Sequence, residues 1–405
     1  MPGVDDPPSG LPSCTLVYKY AFLRPVLHSP SEEHHVTPSE AAGAAAPRSA
    51  IFAAPDLADF ATRLLLLEGV PEPDAALLAD SLVTAELWGH ASHGMLRLPW
   101  YLTRLRSGAM QAVTAPEVAR DSAAVVVLDG QHGIGQVITQ RAVELGIERA
   151  RTHGISGVAV RNSGHFGTAA YFTRQAAEAG CVALLVTNAS PAMAPWGGTV
   201  KSIGTNPWSI AAPAGRHGVV VMDLANTAVA RGKVYLAAER GEQIPDGWAA
   251  AADGTPTTDP AAAIAGLILP MAGPKGYVIS FMMDVLAGVL TGSAFGDGVA
   301  GPYDPQRRSG AGHLLITIDV SAVSDPTEFA ARIEALVDQT RGGALAAWAD
   351  EILVPGELED RNRRRLSADG IPLALTTTEA LAALGREAHV VLPSPLSPVG
   401  PEVPA

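Results

Sequence analysis

Apolar residues begin to recur with a helical period at Asp56, where Leu57, Phe60, Leu64 and Leu67 share one face and Gly69 closes the segment. A second helix follows, with Leu78, Leu82 and Ala85 on one stripe, and runs into the loop Gly89-His90-Ala91-Ser92-His93-Gly94. A third carries Leu98, Leu102 and Leu105 inward. From Ala124 the pattern shortens. Runs rich in β-branched residues at 125–128, 155–160 and 182–186 alternate with amphipathic helices and glycines, which is the texture of an α/β core. Further strands are expected at 219–222 and 314–318. Asp325-Pro326-Thr327-Glu328 is a capping box with proline at the first helical position, so it predicts a helix over 326–340. Phe329, Ile333, Leu336 and Val337 form its apolar face, expected to pack on the sheet. The most apolar stretch, 277–291, reads as a buried helix, because Asp284 interrupts it and it falls short of the roughly 20 residues that span a bilayer.

These patterns divide the chain. Residues 1–50, rich in Pro, Ser, Ala and Glu without a sustained period, read as a disordered N-terminal arm. Residues 51–120 form an N-terminal helical segment and 121–313 an α/β core. Residues 314–390 supply a strand and helices that complete the fold, and 391–405 form a Pro-rich mobile tail. A chain of 405 residues that is 47% hydrophobic can bury a large core. A net charge of -13 leaves no basic stripe for a phosphate backbone, so no nucleic-acid partner is expected. Cys14 and Cys181 allow at most one bridge, and the N-terminus lacks the basic start and apolar middle of a secretory signal. A cytoplasmic protein without a membrane segment is expected.

No G-x-G-x-x-G follows a strand and no G-x-x-x-x-G-K-[ST] occurs; the nearest approach, Gly133-Ile134-Gly135-Gln136, lacks the third glycine. A dinucleotide, if bound, needs another architecture. Four clusters carry candidate chemistry. Ser92-His93-Gly94 with Arg97 and Tyr101 lies at the start of the third helix, where a helix N-terminus and an arginine fork suit a carboxylate; from the pattern alone an N-cap serine with solvated charges is the plainer reading. Gly164-His165-Phe166-Gly167 places a histidine at a strand-to-helix junction, suited to acid/base work near neutral pH. Thr187-Asn188-Ala189-Ser190 and Gly204-Thr205-Asn206-Pro207 are small polar loops after apolar runs. Pro274-Lys275-Gly276 sets a cation at a helix N-terminus, and Asp284 reads as a paired structural acid.

These stretches together resemble the malate/L-lactate dehydrogenase family over about Leu57 to Leu373. Further motifs that carry the resemblance are Pro195-Trp196-Gly197-Gly198, Asp223-Leu224-Ala225, Gly232-Lys233-Val234, Ile244-Pro245-Asp246-Gly247-Trp248, Pro256-Thr257-Thr258-Asp259-Pro260 and Val354-Pro355-Gly356-Glu357. The resemblance implies a homodimer with a non-Rossmann α/β nicotinamide-binding fold, substrate bound by 51–120 and NAD or NADP by 121–313. It implies hydride transfer between the cofactor and a small 2-hydroxy or 2-keto acid of malate, lactate, ureidoglycolate or sulfolactate type. By similarity, Ser92, Arg97 and Tyr101 hold the substrate carboxylate, with His93 and His165 as acid/base groups. Asn188, Ala189, Ser190, Asp223, Leu224, Ala225, Lys275, Gly356 and Glu357 line the cofactor, and no metal site is implied.

Two features depart from the family pattern. One is the arm; the other is the segment from Asp304 to Gly312, where some members place a substrate-contacting arginine and where Arg307, Arg308 or neither takes that part here. The competing readings are an NADPH-dependent reductase of cyclic imines (piperideine- or pyrroline-2-carboxylate) on the same fold and a metal-dependent hydrolase built on His90-x-x-His93.

Overall fold

The computed structural model describes residues 48–401, so the arm over 1–47, Cys14 and residues 402–405 lie outside the described residues. Strand β1 (Arg48–Phe52) leads into helices α1 (Ala54–Leu67), α2 (Glu72–Leu87) and α3 (Leu98–Ser107). Each helix carries a proline in its first turn, where a backbone N–H has no intrahelical partner to lose, and this fixes where each starts. Leu57, Phe60, Leu64, Leu78, Leu82, Leu98 and Leu102 are buried as their spacing requires; Leu67, on the last turn of α1, is instead 61% exposed.

The α/β part follows as β2 (Glu117–Ser122), β3 (Val125–Asp129), α4 (Gly135–His153), β4 (Ile155–Ser163), α5 (Ala170–Glu178), β5 (Cys181–Thr187), β6 (Trp208–Pro213) and β7 (Val219–Leu224). A small excursion then holds α6 (Arg231–Arg240), β8 (Ala249–Ala250), β9 (Pro256–Thr257), α7 (Pro260–Ala265) and β10 (Leu267–Ile268), closed over its own core of Val229, Val234, Ile244, Ala263 and Ile268. Helix α8 (Pro274–Asp284) runs on into a π turn over Val285–Val289, and β11 (Ala311–Asp319) returns the chain to the main sheet. The chain ends with α9 (Pro326–Arg341), α10 (Glu357–Asp369), β12 (Ile371–Ala374), α11 (Leu375–Ala388) and β13 (Ser397–Pro401).

The seven-stranded sheet has the order β2-β3-β4-β11-β5-β6-β7. Only β3 and β4 are parallel, joined through α4; β11 enters between β4 and β5 antiparallel to both. A Rossmann domain needs an open, mostly parallel sheet, so this mixed sheet agrees with the missing glycine fingerprint. One face is sealed by α4 and α5 around Leu128, Ile138, Val160, Phe166, Phe172 and Leu315. The N-terminal helices have a separate core, and Ile371, Leu373, Leu381 and Val390 belong to it. The end of the chain thus completes the N-terminal layer. Strand β1 pairs with β12 and β13, so regular structure reaches into segments read as arm and tail.

Two expectations are corrected. Helix α9 does not lie on the sheet: it packs against the short turns Gly215–His217 and Val320–Ala322, Leu336 is 60% exposed, and only Val337 of its apolar face is buried. The stretch 277–291 is not enclosed either. Ser280, Asp284, Ala287 and Gly288 face the sheet, while Val278, Phe281, Met282, Val289 and Leu290 are exposed. No helix among the described residues is long and apolar enough to cross a membrane.

Candidate active site

Between α2 and α3 the chain makes two tight turns, Ala91–His93 and Met95–Arg97. Glu86 dictates their position. Its buried carboxylate accepts from the Met95 N–H at 2.7 Å, and Gly94 lies so close that a Cβ there would fall 2.1 Å from Glu86 Oε1. Burial pushes the Glu86 carboxyl up to about 8, against the lowering effect of the Met95 N–H. Folded Glu86 therefore holds a proton that the unfolded chain has already lost. Its contribution to stability is complete below the ordinary 4.5 and disappears as pH rises through about 8. Glu86→Gln keeps the acceptor and removes the titration, so its melting temperature should gain on the wild type progressively between those two pH values. A constant difference across that range would reject the assignment.

Ser92, His93, Tyr101 and His165 meet beyond these turns. The Ser92 hydroxyl lies 2.9 Å from His93 Nδ1, and the His93 ring stacks on His165 at 5.7 Å between centroids. His165 comes from the loop after β4. The Tyr101 hydroxyl is 2.6 Å from its Nδ1, the Gly167 N–H donates to the same atom at 3.3 Å, and Gln136 Nε2 donates to the Tyr101 oxygen at 3.1 Å. The loop rests on the start of α4, where a Cβ on Gly135 would come 2.5 Å from the carbonyl oxygens of Gly164 and His165. Nε2 of His165 has no hydrogen-bond partner among the described residues, which leaves it for a ligand.

Burial and the charge of Arg97 push His93 down to about 3, with His90 adding to the shift. Burial also holds His165 well below the ordinary histidine range, helped by Arg97, His93, His313 and Arg104. Burial pushes the Tyr101 hydroxyl up to about 12. Both histidines are thus neutral at ordinary pH, burial being the larger cause and the neighbouring cations the smaller.

Arg97 stands near both rings, and its charge acts on each of them. Its Nε donates to the Ser92 carbonyl at 2.6 Å and its guanidinium lies over the Trp100 ring at 4.4 Å, while its terminal nitrogens have no hydrogen bond among the described residues. The sequence reading missed Arg104, three residues after Tyr101. It is 3% exposed and donates to the carbonyls of Gly301 and Asp304 and to the Ser309 hydroxyl, tying that segment over the site. His313, also missed, sits in β11 with Nδ1 2.7 Å from the Thr187 hydroxyl and its ring edge-on to Phe166.

A cavity of about 100 Å³ is lined by His93, His165, Gly167, Asn188, Ser190 and Pro302. A second, of about 450 Å³, is lined by Trp88, His90, Asp223, Leu224, Gly356 and Glu359. The loop 90–93 and the segment 167–170 each contribute to both walls.

The expected cofactor residues divide between these cavities. Ala189 and Ser190 line the first. So does Asn188, but its side chain is fully engaged with Asp284, the Ala294 carbonyl and the Gly312 N–H. Asp284 is the paired structural acid that the sequence implied. Asp223 accepts from the Ala170 N–H at 2.8 Å, and Leu224 and Gly356 share its cavity, with Ala225 exposed beside them. Glu357 is turned into ion pairs with Arg341 and Arg361, and Glu359, paired with His90 at 3.4 Å, stands on the wall in its place. Lys275 is exposed at the start of α8, on neither wall. Among the described residues no group of three or more His, Cys, Asp and Glu is placed to hold a metal ion, so the hydrolase reading has no ligand set.

Comparison with known proteins gives the family and the fold. The family model described as malate/L-lactate dehydrogenase matches residues 52–382. An L-sulfolactate dehydrogenase of Methanothermobacter thermautotrophicus is 38% identical over 329 residues, covering 81% of this chain and 94% of its own. A (2R)-3-sulfolactate dehydrogenase (NADP(+)) of Chromohalobacter salexigens is 42% identical over 258 residues, covering 64% and 77%. The solved sulfolactate dehydrogenase from Methanocaldococcus jannaschii superposes with a TM-score of 0.81 at 36% identity, covering 84% of this chain and 98% of that one.

Proposed function

Because the chain belongs to the malate/L-lactate dehydrogenase family, whose members are NAD(P)-dependent dehydrogenases of small 2-hydroxy acids, we propose that it interconverts a 2-hydroxy acid carrying a second anionic group with its 2-keto acid. Sulfolactate and malate are the leading candidates. The observation that carries this reading is His165 on the wall of a small cavity, its Nε2 without a hydrogen-bond partner among the described residues, and near enough to Arg97 for that charge to act on the ring.

Arg97 binds the carboxylate next to the reacting carbon through its terminal nitrogens. Burial and the surrounding charges together keep His165 neutral; a bound anion offsets the charges and favours the protonated ring, which returns its proton to the developing alkoxide. Nicotinamide, when bound, supplies or removes the hydride at that carbon. The residues present fit a dinucleotide: Leu224, 43% exposed, and Leu353, 38% exposed, form an uncovered apolar wall for a base in the larger cavity. Leu224, Ala225 and Gly356 would hold that part, and Ala189 and Ser190 the part nearest His165. For the distal anion, Arg308 is the better of the two arginines, since its charge acts on His132 at the edge of the site. Arg307 is spent on the carbonyls of Asp297 and Gly298. A second copy of the chain is the natural cover for the apolar face of α8, giving a homodimer.

The test is oxidation of NADH and of NADPH, followed by absorbance, against a panel of 2-keto acids and cyclic imines. Turnover of sulfopyruvate or oxaloacetate above pyruvate is expected. Silence towards every keto acid by a cofactor-binding sample would reject the proposal, and turnover of imines alone would replace it. Arg97→Lys should raise KM for the keto acid by a factor on the order of 10 to 100, since an ammonium loses the fork's paired hydrogen bonds. An unchanged KM would remove Arg97 from the site.

A further inference from the structure

Gln136, near the start of α4, is fully buried at 0% exposed. A buried amide is costly unless both of its ends are paired, and here only one is. Nε2 donates to the Tyr101 oxygen, while Oε1 has no partner among the described residues. Since the Tyr101 oxygen accepts that bond, its own proton goes to Nδ1 of His165, which also receives the Gly167 N–H. Two donors on Nδ1 leave the neutral ring's proton on Nε2. A ring protonated there cannot accept a proton from a substrate hydroxyl. To act as the base, His165 needs its proton on Nδ1, Tyr101 as the acceptor, and a further acceptor for the Tyr101 proton.

Gln136 Oε1 becomes that acceptor after a half-turn of the amide. We propose that Gln136 is a positioning residue acting through Tyr101: turning its amide reverses the Tyr101–His165 hydrogen bond and selects which ring nitrogen of His165 carries the proton.

This rests on the dehydrogenase reading, and its proton balance closes. In reduction the resting ring takes up one proton from water as the keto acid binds and becomes doubly protonated. Nδ1–H then donates to Tyr101, and Tyr101 donates to Gln136 Oε1. In reduction Nε2 gives its proton to the alkoxide and Nδ1 keeps its own; in oxidation the ring stays neutral, exchanging its Nε2 proton through water for one on Nδ1 as the hydroxy acid binds, and the emptied Nε2 takes the hydroxyl proton. Tyr101 and Gln136 end each turnover with the protons they began with. Besides Tyr101, the titratable and charged groups facing His165 are Arg97 and His93 from the turns before α3, Arg104 from α3 and His313 from β11. None of them touches Nδ1 among the described residues.

Gln136→Met removes both ends of the amide and should lower kcat about 100-fold in both directions with NADH affinity unchanged. Gln136→Glu keeps an acceptor and adds a negative charge. It should retain turnover and move the alkaline limb of kcat/KM for reduction upward by about one pH unit, because reduction needs the protonated ring and the new charge favours it. Equal losses in both variants with the limb unmoved would mean a structural glutamine and overturn the proposal, as would an unchanged kcat in Gln136→Met. Nitrogen-15 spectra of the wild-type His165 ring, with and without oxamate as a non-reacting anion, decide the matter even if a variant does not fold. Protonation of Nδ1 on binding is expected, and a ring protonated only on Nε2 in both states overturns the proposal. Wild-type turnover tests the dehydrogenase reading separately, so either can fail without the other.

Discussion

Replacing His165 by Gln is expected to lower kcat by a factor on the order of 10² to 10⁴ in both directions, the usual worth of a positioned acid/base group. Cofactor affinity should hardly change. Glutamine can still receive the Tyr101 hydroxyl and the Gly167 N–H that now meet at Nδ1, so the loop keeps its anchors and only the exchangeable proton is lost. The same change at His93 serves as the control. His93 stacks on His165 and is held by Ser92, and its ring is depressed to about 3, so His93→Gln should cost less. If the two effects were reversed, with His165→Gln nearly silent, His93 would be the acid/base and the assignment would be wrong.

The second large effect concerns a residue without a side chain. Gly135→Ala would put a methyl group 2.5 Å from the carbonyl oxygens of Gly164 and His165. Backbone on both sides leaves no flexible group to yield, so the His165 loop must retreat by several tenths of an ångström. Overpacking of this kind costs roughly 1–3 kcal/mol of stability, and a displacement approaching 1 Å at the reacting group costs about 100-fold in rate. The expected enzyme is folded, melts several degrees lower and has a kcat reduced at least tenfold, with the larger fraction of the damage in catalysis. Thermal melts beside steady-state kinetics distinguish this from simple unfolding; normal kcat with a lowered melting temperature would show that the loop does not depend on α4.

Those two residues were read from the sequence with very different success, for physical reasons. His165 stood out because glycines flank it at a strand-to-helix junction, and α1, α2 and α3 were visible because each buries one stripe. Gly135 lay inside a motif read as a failed dinucleotide fingerprint and as one part of the family resemblance, with no role of its own; that role depends on a loop that the sheet brings back from thirty residues away. Strand β2 left no pattern because every residue in it is exposed. The placement of β11 in mid-sheet is a pairing across more than a hundred residues, which no local period encodes. The same holds for Arg104, Gln136 and Glu359, whose chemistry depends on which helix face meets a cavity. The exposed face of α8 was misjudged for another reason: apolar sequence records that a surface is to be covered, without recording by what.

The shared core of the first and last elements has a consequence for how the molecule is made. The turns that carry Ser92, His93 and Arg97, and the helices on either side of them, are synthesised well before the β12 and α11 residues that seal their layer, which follow nearly three hundred residues later. Until then the emerging chain shows the sticky side of its N-terminal layer, and β4 and β5 wait with open edges for β11. Pairings so remote in sequence slow acquisition of the native state and prolong exposure to aggregation. Recovery from denaturant should therefore be slow and concentration-sensitive, with activity returning only once the C-terminal elements have docked.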